Sequence, residues 1–212
     1  MSSSSTNFTS RAFIEGLDAT DPLASFRQEF VITDDDTCYL DGNSLGRLPL
    51  ATIGVVNDFL HNEWGAQMVS GWNSWIDEAQ STGDLIGRAT LGVEPGQMLA
   101  VDTTSVNFYQ LCHAAITARP GRHKVISDTA NFPTDRYILE GLCQELGCEL
   151  VLINDEDGEE YVTPEMLAPY LDDDVALVTF SVIQYRSGAL HDIARISQMT
   201  RDAGALCVWA AS

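Results

Sequence analysis

The sequence predicts an α/β protein with a mainly parallel sheet and helices on both faces, and three observations carry that reading. From residue 97 onward, short apolar runs alternate with segments of helical periodicity. The runs begin roughly 25 to 30 residues apart, the length of a strand–helix unit. Strictly alternating β and α segments force parallel pairing, because each crossover must carry the chain back to the same sheet edge. The period reflects this alternation; no repeated sequence underlies it.

The strand candidates are Met98–Val101, Lys124–Ser127, Glu149–Ile153, Ala176–Phe180 and Ala205–Trp209. Helical patterns fill the gaps at Val106–Ala118, Thr134–Leu146, Pro164–Leu171 and Ile193–Ala203. Residues 97–212 thus read as an incomplete α/β large domain that stops after its fifth strand. Residues 1–96 read as a helical arm and segment. Within them, residues 1–10 are polar and rich in Ser and Thr, which predicts a disordered tail. Phe13–Phe30 is helical, with Asp21-Pro22 breaking it in two. Cys38–Leu40 is a short strand candidate that leads into Asp41-Gly-Asn-Ser-Leu-Gly46. That loop is small enough to bring its backbone to a ligand, or is a plain strand-to-helix connection. Pro49 starts a long helix with Ile53, Val56, Leu60 and Trp64 on one apolar face, and Trp72 after Gly71 could line a pocket mouth. Asp84–Leu91 is a further helix, stopped by Gly92.

Composition narrows the function. The chain of 212 residues carries 31 acidic against 11 basic side chains, a formal net charge of -20, and Lys124 is its one lysine. Such a surface repels nucleic acid and anionic membranes. It suits either a high-salt environment or an acidic cytoplasmic enzyme. The five cysteines are odd in number and form no CxxC, and the four histidines lack metal-ligand spacing. Buried free thiols in a reducing compartment and no metal site are the expectation. There is no apolar signal core and no membrane-length run, so a cytoplasmic protein is expected.

Chemistry concentrates where strands end. In a parallel sheet the strand C-termini share one edge, and ligands bind there. The first run ends at Asp102-Thr103-Thr104-Ser105, opening a helix whose hydroxyls and N–H groups can hold a phosphate. It lacks the glycines and lysine of a P-loop. The second leads to Asn131-Phe-Pro-Thr-Asp-Arg-Tyr137, an aromatic at a strand exit followed by a hydroxyl and a carboxylate at a helix start. A capped helix with a core Phe is the alternative reading of those seven residues. The fourth ends at Ser181, before Tyr185-Arg-Ser-Gly188. A phosphate cup, an aromatic wall and hydroxyls on one rim suit a phosphorylated aromatic cofactor.

These motifs, with Tyr39-Leu-Asp-Gly-Asn-Ser-Leu-Gly46 ahead of them, resemble kynureninase in residues and in order. Kynureninases are pyridoxal-phosphate enzymes of the aspartate-aminotransferase fold (fold type I), and the chain covers about the first half of such a subunit. The resemblance implies pyridoxal 5'-phosphate as cofactor. Thr104 and Ser105 are then its phosphate ligands, Phe132 stacks on its ring, Pro133, Thr134 and Asp135 complete that wall, and Ser181 touches it. Asn43 and Ser44 lie near the substrate. The implied reaction is hydrolysis of L-kynurenine, or 3-hydroxykynurenine, to anthranilate or 3-hydroxyanthranilate and L-alanine, as in tryptophan catabolism and NAD biosynthesis, by a homodimer.

Two departures stand beside it. The family continues the fifth strand as Trp-Asp-x-x-His, with that Asp on the pyridinium nitrogen; here Trp209 is followed by Ala210, Ala211 and Ser212. The family's Schiff-base lysine is absent, and Lys124, at a strand start, is no substitute. A non-catalytic remnant, or another fold-type-I enzyme such as a cysteine desulfurase or transaminase, remains the alternative. The charge balance generates its own expectation: screening relieves self-repulsion, so molar potassium chloride raises the midpoint of thermal unfolding. A melting curve indifferent to salt marks an ordinary acidic enzyme.

Overall fold

The structure is a computed structural model that describes residues 8–34, 36–154 and 161–211. It divides into two compact units, Met1–Ser81 and Thr82–Ser212, an earlier division than residue 96.

In the first unit, helix α1 (Arg11–Thr20) starts at Ser10, whose hydroxyl accepts from the Phe13 N–H at 3.3 Å. Pro22 follows its C-cap, and the chain resumes as a 3-10 turn at Ala24–Glu29, so the helical segment is broken at Asp21-Pro22 as expected. Most of the tail expected to be disordered, residues 1–7, lies outside the described residues. Cys38–Leu40 is not a strand: it is exposed and has no pairing partner among the described residues. Pro49 is the N-cap of α2 (Leu50–Asp58), which continues through a π-helical stretch, Phe59–Trp64, into α3 (Gly65–Gln67). A Cβ on Gly65 would stand 2.8 Å from the Leu60 carbonyl, so the widened turn depends on a glycine there. Ile53, Val56, Leu60 and Trp64 do not face a core; each is 43–60% exposed. Helix α4 (Trp72–Trp75) holds Trp75 over Gly71, with its indole N–H donating to Glu63 at 2.9 Å. Trp72 lies exposed against Trp75 and is not among the residues that line an open cleft in this unit, Phe30, Tyr39, Leu40, Gly42 and Arg47.

Helix α5 (Glu78–Thr90) crosses the division between the units. In the second unit it packs closely on the segment after it. A Cβ on Gly83 would meet the Met98 carbonyl oxygen at 2.3 Å. Met98–Val101, expected as a strand, is none: it lies against the helix at Gly83 and Gly87 and joins no sheet among the described residues.

Four strands form the sheet: β1 (Lys124–Asp128), β2 (Glu149–Ile153), β3 (Val175–Ser181) and β4 (Leu206–Ala210). All pairs are parallel, in the order β2-β1-β3-β4. Helices α6 (Thr104–Thr117) and α7 (Pro133–Leu146) cover one face, packing Phe108, Cys112, Leu139 and Leu142 on Val125 and Leu177. Helices α8 (Pro164–Leu167) and α9 (Ile193–Asp202) cover the other, with Leu167 and Ile196 against Ile126, Val178 and Phe180. Neighbouring residues alternate between the faces, Val125 to one and Ile126 to the other, because strand side chains have a period of two.

Arginines close the sheet's N-terminal edge. Arg122 donates to the carbonyls of Val175 and Ala203 at 2.7 and 2.8 Å, and Arg119 to that of Gly204 at 2.8 Å. Lys124 pairs there with Asp172. All five cysteines are unpaired. Cys112 and Cys143 are buried, and burial pushes both thiols up to about 12, whereas Cys38 is exposed.

Two glycines on helices separate packing from propensity. Gly83→Ala forces α5 off Met98 and lowers stability by about 1–3 kcal/mol. Gly141→Ala, with nothing within 4 Å of the new methyl, raises it by about 0.5–1 kcal/mol. Urea unfolding of both variants checks the pair, and equal signs would contradict the Met98 contact.

Candidate functional site

Past Ile126↔Val178 the pairing of β1 with β3 stops, while β1 stays with β2 to Asp128↔Ile153 and β3 with β4 to Ser181↔Ala210. The two central strands therefore part at their C-terminal ends. The chain order also reverses there: β2 lies to one side of β1, β3 and β4 to the other. Such a switch point leaves a crevice, because the connections on its two sides leave for opposite faces.

Asn131 spans the crevice. It is 2% exposed, its Nδ2 donates to Ser127 Oγ on β1 at 3.0 Å, and its Oδ1 accepts from Ser181 Oγ on β3 at 2.8 Å and from the Phe132 N–H at 2.8 Å. Phe132 is the N-cap of α7, extended at φ -56 and ψ 133 as the following Pro133 requires. Its carbonyl accepts from the N–H groups of Asp135 and Arg136. The ring is left 48% exposed, edge-on to Tyr185 with centroids 5.2 Å apart. This is not the core Phe of the alternative reading.

Helix α6 aims its start at the same edge. Its far end is fixed at the opposite edge by Arg119 on Gly204, and 14 residues of helix span about 21 Å, enough to cross the sheet. Thr103 is the N-cap, its hydroxyl 3.4 Å from the Val106 N–H, and Asp102 precedes it at φ 20 with its carboxylate on the Thr103 N–H. Thr104 and Ser105 fill the first turn, where N–H groups lack intrahelical partners and the helix dipole favours an anion.

A second polar group lies below the rim. Asp128 is 2% exposed and accepts from Gln184 Nε2 at 3.1 Å, while its Oδ2 has no partner among the described residues. Burial raises its carboxyl to about 6, against the pull of Gln184, the Ala130 and Asn131 backbone and Arg136. Burial likewise raises the Asp135 carboxyl above its ordinary range. His191 is stacked on Phe180 at 5.5 Å, and its Nε2 accepts from the Val162 N–H at 3.2 Å. Burial lowers its pKa, so the ring is a neutral structural acceptor.

Phe132, Pro133, Thr134 and Asp135 thus follow the exit of β1 and Ser181 ends its neighbour β3, with Thr104 and Ser105 on the same edge. Asn43 and Ser44 belong to the first unit, where Ser44 donates to Asp41 at 2.8 Å and the Tyr39 hydroxyl stitches the loop to Leu45 O at 2.5 Å. Sequence reasoning missed Asn131, Asp128 and Gln184. Asn131 lay inside the motif that drew attention, but its role depends on Ser181, fifty residues away. Ala210 ends β4 beside Ser181, and its carbonyl accepts from the Val182 N–H at 2.7 Å. Lys124 stands at the opposite edge, as expected from its place at a strand start.

No protein-family model matches the chain. Among curated proteins it is 34% identical over 209 residues to a kynureninase of Pseudomonas fluorescens, covering 95% of this chain and 48% of that protein. It is 35% identical over 201 residues to a kynureninase of Burkholderia pseudomallei, covering 91% and 46%. The chain therefore spans about half the length of the curated relatives it matches. Among solved structures, a cysteine desulfurase from Escherichia coli superposes with a TM-score of 0.71 at 14% identity, over 88% of this chain and 47% of that one. One from Thermococcus onnurineus gives 0.66 at 15%, over 93% and 47%. A lyase with glycine linked to its PLP cofactor gives 0.63 at 13%. At such identities these structures establish the fold.

The buried carboxyl makes stability pH-dependent with a definite sign. The folded pKa of Asp128, about 6, lies above the ordinary 3.8, so the native state binds the extra proton between those values. Stability from this group is present at low pH and lost as pH rises through about 6. Asp128→Asn therefore gains on the wild type from pH 4 to pH 7, by on the order of 2–3 kcal/mol, and the difference is flat above that. Paired urea titrations across that range check it; a constant difference contradicts a buried titrating carboxyl.

Proposed function

We propose that this relative of the kynureninases builds the phosphate-binding and ring-binding wall of a pyridoxal 5'-phosphate site, and that its chemistry is the hydrolysis of L-kynurenine to anthranilate and L-alanine. The observation that supports this best is the crevice itself. It opens at the sheet's switch point with a half-exposed aromatic on its rim and a helix N-terminus at the same edge, in a chain alike to kynureninases along 95% of its length. Likeness to cysteine desulfurases rests on the fold alone.

The residues fit the cofactor in part. Thr104 and Ser105 offer hydroxyls and first-turn N–H groups to the phosphate. Phe132 offers a ring face, and Pro133 and Thr134 shape the wall beneath it. Asp135 is buried behind that wall, where desolvation raises its carboxyl above the ordinary range. Ser181 supplies a hydroxyl at the β3 end. When bound, pyridoxal phosphate supplies an electron sink for cleavage of a carbon–carbon bond.

Two elements do not fit. The position beside Ser181 is Ala210, which gives a ring nitrogen no carboxylate partner. The one lysine is paired with Asp172 at the far edge, and that pairing raises its pKa and holds it charged. A covalent anchor for the cofactor must come from outside these residues. Asn43 and Ser44 would bound the substrate, and a second copy of the subunit would complete the assembly, as the resemblance implies.

In solution the chain binds pyridoxal phosphate without a covalent link, and Phe132→Ala weakens that binding by roughly 1–3 kcal/mol, the scale of a lost aromatic wall. Equilibrium dialysis reads the affinity; an unchanged value contradicts the placement of Phe132. Borohydride leaves no stoichiometric adduct on Lys124, and no anthranilate is released from kynurenine by these residues alone. Peptide mass analysis showing such an adduct, together with anthranilate fluorescence, would overturn the division of labour.

A further inference from the structure

We infer that Asn131 is the positioning residue of this site: its side-chain amide sets the orientation of Phe132 and commits the Ser181 hydroxyl to accept a hydrogen bond from whatever ring lies in the crevice. The inference rests on the reading of the crevice as a ring-binding site, but its first test does not.

Bond polarity carries the argument. The Phe132 N–H can only donate, so the Asn131 atom 2.8 Å from it is the carbonyl oxygen, and the orientation of the amide is fixed. Ser181 Oγ lies 2.8 Å from the same oxygen and must spend its single proton on it. Only lone pairs remain on Ser181 for a ligand. The other end of the amide donates to Ser127 Oγ at 3.0 Å, which anchors the group in β1. Asn131 is buried, so water does not compete for these bonds.

The same bond governs the aromatic wall. Phe132 stands at an N-cap position, yet it has no side-chain atom that can cap. Its backbone is held from outside: the N–H by Asn131 Oδ1, the carbonyl by Asp135 and Arg136 N–H, and ψ by Pro133. With the backbone fixed, the exposed ring has one lateral neighbour in the loop after β3, Tyr185. Asn131 also ties β1 to β3 beyond the point where their ladder ends, so the width of the crevice depends on it. A ligand is therefore met by an aromatic at one point and by an acceptor at another, both set by one amide. A ring with an N–H or O–H donor near Ser181 is favoured over one with an acceptor there.

The test begins on the isotopically labelled chain without cofactor. The Phe132 and Tyr185 rings give a mutual nuclear Overhauser effect in the wild type. Asn131→Ala abolishes it while far-UV circular dichroism is retained; a persisting effect of equal intensity overturns the inference. If Asn131→Ala does not fold, Asn131→Ser, whose hydroxyl is too short to reach Ser181, is read the same way. The second stage measures pyridoxal phosphate affinity by dialysis. Asn131→Ala weakens binding about tenfold, the scale of one lost hydrogen-bond contribution, but has no further effect in the Phe132→Ala, Ser181→Ala background. Additive losses overturn the positioning role. A wild type that binds no pyridoxal phosphate refutes the proposed function, and the ring contact then decides the role of Asn131 by itself.

Discussion

Burial of a parallel sheet on both faces is the constraint from which the other features descend. Successive apolar residues of β1 and β3 are committed to opposite layers, Val125 and Leu177 to one, Ile126 and Val178 to the other. Helices must cover both layers, and their crossovers bring every strand C-terminus to one edge. The N-terminal edge can then be closed permanently. Arg119 and Arg122 do so by donating to carbonyls that the ladder leaves over, at Val175, Ala203 and Gly204. The edge left open is the one where the central strands part.

That open edge combines two kinds of polar burial. The Ser127–Asn131–Ser181 chain is neutral, and every bond in it has a defined direction, so it costs little to bury and fixes geometry. Asp128 is the opposite case. One of its oxygens has a partner and the other has none among the described residues, so burial raises its pKa instead of being compensated. Both groups lie at the end of the same strand: Ser127 and Asp128 are its last residues and Asn131 follows them. One organises the rim, and the other makes the rim's support sensitive to pH.

The first unit shows a different balance. Its long helix, from Leu50 through the π-helical stretch to Gln67, leaves Val55, Leu60 and Trp64 exposed, and Trp75 packs on Gly71 so closely that a Cβ there would lie 2.2 Å from its ring. Exposed apolar side chains on this scale are typical of surfaces that another polypeptide covers. The high negative charge works against non-specific association of such surfaces.

The alternation of apolar runs and helical periods was enough to define the sheet, its parallel sense and the helices on both faces, because each unit is local: a run of five apolar residues, a turn, an amphipathic helix. It was enough also to single out the Asn131–Tyr137 stretch and to place Lys124 at the wrong edge for chemistry. Local pattern misled at Met98–Val101, which has strand composition but is captured by the glycine face of α5, and at Ile53–Trp64, which has core periodicity but lies exposed. In both, the partner decides the outcome, and a partner is not written in the segment itself. The same holds for the site. Phe132 and Ser181 could each be read from sequence, but the amide that joins them could not, because a hydrogen bond between residues fifty apart exists only once β1 and β3 are neighbours whose ladder ends early. Sequence determined which elements form and which side chains reach the strand ends; the tertiary structure decided which of those side chains share a proton, because distance and direction between strands are set by packing.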